Sequence, residues 1–156
     1  MAAMSDFLEN KLIDFIFRGQ ALGITGATAA AGTGPTNLYF ALLTAAPSDT
    51  GGGTEVTGGS YARVNVAANT TNFDNTQQAN TTAVSSGTTG TTRNSIAVTF
   101  PAPSANWGVA THIGVYDAST AGNLLLWNAL TTSKTINSGD PAPAFAINAF
   151  TFQIDN

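Results

Sequence analysis

WGVATHIGVYDASTAGNLLLWNAL, residues 107–130, contains two strand-like runs separated by a turn. Side chains of a strand alternate between faces, so Trp107, Val109, Ile113 and Val115 fall on one side. Gly108 and Gly114 leave room for close approach on the other. Asp117 to Asn123 (DASTAGN) is turn chemistry, rich in small residues and in Asp and Asn, whose side chains bond nearby backbone. Leu124 to Leu130 then reads as a second strand pairing back on the first as an antiparallel hairpin. A hairpin of this kind places the chain among antiparallel β proteins.

The same reading extends outward from the hairpin. Asn37 to Thr44 (NLYFALLT) is apolar on both faces, the mark of a strand covered on both sides. Pro47 to Thr50 and Gly51 to Gly53 end it. Tyr61 to Val66 alternates, with Ala62, Val64 and Val66 facing one way and Tyr61, Arg63 and Asn65 the other. Ile96, Val98 and Phe100 point inward from a strand broken by Pro101 and Pro103. Thr135 and Ile136 begin a further short strand, and Phe145 to Ile154 sets Phe150, Phe152 and Ile154 on one face. About seven or eight short strands with turns between them predict an all-β chain, a single β-sandwich or jelly-roll-like domain.

A short N-terminal α-helix precedes the strands, over residues 5–18. Leu8, Leu12, Phe15 and Ile16 follow the helical apolar spacing, and Ile13 and Phe17 widen the stripe. Ser5 or Asp6 caps it, Asp6 with Glu9 resembles a capping box, and Gly19 supplies the stop. Asp14 and Arg18 lie four apart on another face and can pair. A helix apolar over so much of its girth asks for burial on two sides. Leu8, Leu12, Phe15 and Ile16 are therefore candidate docking residues toward other subunits, beside ordinary packing on their own domain. The expected organisation is a helix and flexible connection over 1–36 and a β domain over 37–156. Within the latter, the Thr/Asn-rich residues 67–94 offer only Phe73 and Val84 as bulky apolar groups. They read as a surface loop or weak strands whose replacement leaves stability nearly unchanged.

Charged residues make up 9% of the 156 residues, with a net charge of −4, against roughly 25% charged in ordinary soluble domains. Lys11, Arg18, Arg63, Arg93 and Lys134 are scattered singly, which argues against nucleic-acid binding. The absence of cysteine excludes disulfides and thiolate metal sites. Asp6, Glu9, Lys11 and Asp14 interrupt the N-terminal apolar residues, unlike a signal peptide. No run approaches the ~18 apolar residues of a membrane span. The expectation is synthesis in a host cytoplasm without a signal peptide and no membrane insertion.

No catalytic constellation emerges. His112 is the sole histidine and sits mid-strand opposite Ile113, away from any local nucleophile–acid set. Asp49, Asp117 and Asp140 occupy turns, and no calcium-loop or phosphate-loop pattern is present. Asn69 and Asn80 match the glycosylation pattern, a match expected by chance in so Thr- and Asn-rich a segment. The reading is not an enzyme, with no cofactor and no metal. Tyr61, Tyr116 and Trp127 are candidates for surface recognition through stacking or interface burial, beside ordinary core packing.

FLENKLIDFIFRG, PTNLYFALLTAAPSDTGGGTEVTGGSYARV, IAVTFPAP, WGVATHIGVYDASTAGNLLLWNAL and KTINSGD, in that order over most of the chain, resemble a family of small bacteriophage proteins labelled tail-fibre or tail-fibre-like. The resemblance implies a virion component. The chain has no heptad or triple-helical repeat, so it is not a long fibre. A tail-fibre-like or tail accessory role is expected, with a head-decoration protein on the capsid and a host-glycan-binding module as alternatives. Expected partners are other copies of itself, a trimer above all, other virion proteins, and a host-surface glycan in the last alternative.

Overall fold

The computed structural model describes residues 4–23, 34–48 and 50–154. Parts of the expected 19–36 connection and the Asp49 turn lie outside them. Among the described residues one helix, α1 (Asp6–Arg18), precedes nine strands: β1 (Asn37–Ala45), β2 (Thr54–Glu55), β3 (Val64–Ala67), β4 (Thr91–Arg93), β5 (Val98–Thr99), β6 (Gly108–Tyr116), β7 (Leu124–Ile136), β8 (Ala144–Phe145) and β9 (Thr151–Gln153). The expected all-β class with an N-terminal helix holds. The chain divides into two compact units. One comprises residues 1–36, 67–97 and 145–156, the other residues 37–66 and 98–144.

The second unit is built on a five-stranded sheet with the path β2-β1-β6-β7, and β3 also pairs with β1. β1 is central because it is apolar on both faces. Leu38, Phe40, Ala41, Leu42 and Leu43 are all buried. β1 and β6 run antiparallel, Phe40 opposite Val115 and Leu42 opposite Ile113. The expected hairpin forms: β6 pairs with β7 antiparallel, Gly114 opposite Trp127 and Val115 opposite Leu126. Two details differ from the expected alternation. Val109 is exposed although Trp107 is buried, because Gly108 between them adopts φ +85 and breaks the period. And β7 continues through Thr135 and Ile136 as one strand, across an irregularity in the ladder between Ala110 and His112.

A second correction concerns Tyr61 to Val66. Only Val64 onward is strand. Gly58, Gly59 and Ser60 all take positive φ, and the Tyr61 N–H closes a turn on Gly58 O at 2.9 Å. Tyr61 instead packs edge-on to Trp107, centroids 5.2 Å apart, and Trp107 Nε1 donates to Gly59 O at 2.9 Å.

In the first unit the core is aromatic. Phe17 stacks on Phe152 at 4.6 Å and meets Phe73 at 5.5 Å. β4 and β9 pair antiparallel, Thr92 opposite Phe152. The long C-terminal strand expected over 145–154 is two short pieces, β8 and β9, because Asn148 lies between them at φ 62. The capping expectation is half met. Ser5 is the N-cap but makes no side-chain cap bond; Glu9, the expected capping-box partner, is buried at 2% exposure. Gly19 is the left-handed C-cap, its N–H on Asp14 O. A Cβ there would lie 2.5 Å from Ala68 O, so the position excludes other residues on two counts.

Residues 67–94 do not lie wholly on the surface. Phe73, Asp74, Asn75, Thr76, Thr92 and Asn94 are buried. The segment is held by polar bonds, which apolar patterning does not register. Asn94 alone donates from Nδ2 to Ile96 O and Ala146 O, both at 2.8 Å, and accepts the Phe150 N–H at 2.8 Å.

Candidate assembly surfaces

α1 is amphipathic in an unusual sense. Its buried side carries Glu9, Asn10, Asp14 and Arg18 together with Ile13 and Phe17. Asn10, Asp14 and Arg18 recur every four residues and so form one stripe. That stripe grips the Thr/Asn-rich segment. Asn10 Nδ2 donates to Gly87 O at 2.8 Å and Thr76 Oγ1 donates to Asn10 Oδ1 at 2.6 Å. Asp14 accepts from the Ser85 N–H at 2.8 Å and from Ser85 Oγ at 2.6 Å. Arg18 donates to Asp14 Oδ1 at 2.6 Å, to Thr81 O at 2.6 Å and to Ala83 O at 2.9 Å.

The other side of α1 holds the expected docking residues. Leu8, Leu12, Phe15 and Ile16 are half-buried. The helix thus buries its polar stripe more completely than much of its apolar one. Apolar spacing picks out this set in the sequence, but nothing in the spacing marks the polar stripe as facing inward.

The three recognition candidates are all in the second unit, and they differ. Tyr61 and Tyr116 are not outward platforms. Tyr61 Oη donates to Glu55 Oε1 at 2.9 Å and accepts the Leu42 N–H at 3.0 Å. Burial first, and then the Glu55 charge, hold its phenol well above the ordinary range. Tyr116 is 8% exposed and lies under the Arg63 guanidinium, 3.7 Å from its ring centroid; burial raises its pKa as well. Arg63 grips Glu55 with two bonds at 2.9 and 2.7 Å, and this hydrogen bonding raises its own pKa. Its Nη1 donates to Ala118 O at 2.7 Å and Ala121 O at 2.8 Å. Arg63, seated on Tyr116 and Glu55, therefore fastens the β6–β7 turn. In that turn the hydrogen bonds from Asn123 hold the Asp117 carboxyl below its usual range.

Trp127 is the outward aromatic, 40% exposed, with Leu125 at 40% and Leu126 at 37% beside it. On its own sheet it meets the His112 ring at a tilt, centroids 5.9 Å apart. His112 Nδ1 shares a hydrogen bond with Thr111 Oγ1 at 2.8 Å, so its ring is engaged within the strand.

In the first unit, an open polar cleft of about 290 Å³ is lined by Asp74, Gln78, Asn80, Arg93, Ser95, Ile147 and Asn148. Asp74 pairs with Arg93 at 2.8 Å and accepts from Ser95 Oγ at 2.7 Å. Among the described residues no cluster of three or more His, Cys, Asp or Glu is disposed to hold a metal, and no helix is long and apolar enough to cross a membrane.

No curated protein matches the chain. A protein-family model described as podophage GP4 fiber I protein gp80 matches residues 3–153, nearly the whole sequence. The match spans α1, both strands of the hairpin and the Thr/Asn-rich segment alike, and it agrees with the tail-fibre resemblance of the sequence. The chain belongs to the podophage GP4 fiber I protein (gp80) family and is a tail-fibre structural component of the virion.

Proposed function

We propose that this chain is a non-catalytic fibre subunit, made in the host cytoplasm, that assembles without covalent links into a homo-oligomer, a trimer, and joins other virion proteins through the outer face of α1. The observation that supports the docking role is the incomplete burial of Leu8, Leu12, Phe15 and Ile16 on a helix whose polar side is buried. Repeated copies suit an appendage, and a closed ring satisfies every copy's interface. Few charges need to be desolvated when such a surface is covered.

The test is the double variant Leu12→Asp with Phe15→Asp. A buried side chain of this size contributes roughly 1.5–3 kcal/mol, and each carboxylate adds desolvation cost. A folded protein that no longer joins the particle supports the docking role. Loss of the β circular-dichroism signal would assign the face to the fold of its own unit. A folded variant that still joins would remove the helix from the interface.

A second reading, recognition of a host-surface glycan, is favoured by the cleft in the first unit. It combines amides, an anchored Arg93–Asp74 pair and the exposed Ile147, groups suited to hydroxyls and to a C–H face. Glycan-array binding that is lost in Asn148→Ala would support it; an array without signal would set it aside.

A further inference from the structure

β7 is a terminal strand of its sheet, and no described strand pairs with its outer edge. Nearly all of its residues are solvent-exposed, on both of its faces. It nevertheless carries Leu125, Leu126 and Trp127 in succession, three of the seven large apolar residues exposed among the described ones. A long apolar edge strand is a template for association, and proteins that remain monomeric guard such edges with charge or proline. Here neither charge nor proline occurs from Ala118 to Ser133. The ladder to β6 is irregular on either side of Leu126–Ala129. The regular edge is therefore short, and contact would rest on side chains more than on a continued ladder.

Two considerations decide the occupant. Where copies meet about a symmetry axis, each residue near the axis faces its own counterpart. Charges there repel, so a self-contact must be neutral, whereas a different partner could match charge with charge. The run from Ala118 to Ser133 meets that condition in a protein that does carry charges at Asp117 and Lys134, immediately outside it. Length is sufficient as well. The 13 residues of β7 extend about 44 Å at ~3.4 Å per residue, so a strip about 20 Å wide reaches the ~800 Å² per partner of a standard stable interface.

We infer that the β7 surface around Leu125, Leu126 and Trp127 is where copies of this chain meet, the same residues of each copy gathered around the symmetry axis. This rests on the homo-oligomer reading and supplies the surface that reading lacks. It is separate from the outer face of α1, which serves other virion proteins.

The chain has no cysteine, so a single introduced one reports on its own counterpart. Asn128→Cys keeps the three apolar residues and is expected to give a disulfide-linked pair as the main product of mild oxidation. Val84→Cys, exposed in the first unit, is the control and is expected not to link. Leu126→Lys with Trp127→Lys is expected to stay folded and to raise the concentration needed for assembly at least about tenfold. Should that variant misfold, Asn128→Cys decides. An oligomeric wild type in which Asn128→Cys fails to link, or a folded double-lysine variant that assembles as before, overturns the β7 surface while the oligomer stands. A wild type that is monomeric by light scattering at every concentration overturns both.

Discussion

Arg18 is fully buried and carries a charge in a chain that has few. Its partners explain how. Asp14 neutralises it one helical turn away and the Thr81 and Ala83 carbonyls both accept from its Nη2, while its Nε is buried without a partner. Such a pair contributes little net stability relative to apolar residues of equal volume, yet breaking it is costly. Arg18→Met should therefore lower the unfolding free energy by about 3–5 kcal/mol, read from the urea midpoint, because Asp14 is left charged and buried. Adding Asp14→Leu should recover part of that loss; a double variant as unstable as the single one would show that Thr81 and Ala83 matter more than the ion pair. The i,i+4 spacing made this pair legible in the sequence. Its burial was not legible, since periodicity assigns charged residues to solvent. Asn10 and Asn94 gave no signal at all: an asparagine in a turn and one at the centre of a buried bond network look alike until the chain is folded. Tyr116 fails for the converse reason. Alternation put it outward, but the arginine brought over it by the neighbouring turn closes it off.

Among elements, those specified by local rules were readable and those specified by partners were not. α1, β1 and the β6–β7 hairpin follow from apolar period and turn chemistry, and each forms close to where the sequence places it. The strands at Tyr61 and Phe145 shrink because positive-φ residues at Ser60 and Asn148 interrupt them, and neither serine nor asparagine announces that conformation. The Thr/Asn-rich segment is the largest departure. It lacks apolar residues because its anchorage is polar: Thr76, Ser85 and Gly87 bond the Asn10–Asp14 stripe of α1. Replacing Asn75 to Gly90 by a Gly/Ser linker is therefore expected to destabilise the first unit by several kcal/mol, since each buried polar group left unpaired costs about 1–3 kcal/mol. Calorimetry checks this directly. An unchanged thermal midpoint would mean that water replaces these bonds without loss and that the segment is only draped over the helix.

At the scale of the whole molecule, the low charge that argues against nucleic-acid binding also sets how assembly responds to solution conditions. A surface made polar by Thr, Ser and Asn is hydrated through hydrogen bonding to water, which salt does not screen. Contacts that are apolar and neutral, as the β7 surface is, likewise have no Coulomb term to lose. Between 0.1 M and 1 M salt the screening length falls from ~10 Å to ~3 Å, a change that would disperse an assembly held by scattered ion pairs. For this protein, sedimentation across that range is expected to show the oligomer undiminished, and sulfate is expected to tighten it, because excluded salts favour burial of apolar surface. Dissociation on raising sodium chloride would instead assign the contact to the few charges flanking the neutral run, Asp117 and Lys134 foremost. Such a contact would have to bring opposite ends of the hairpin together, Asp117 of one copy against Lys134 of the next, rather than like against like across an axis. The same titration therefore separates the two geometries. Salt-insensitive association fits identical apolar residues meeting their counterparts at the axis, and salt-sensitive association fits charged ends of neighbouring hairpins meeting away from it.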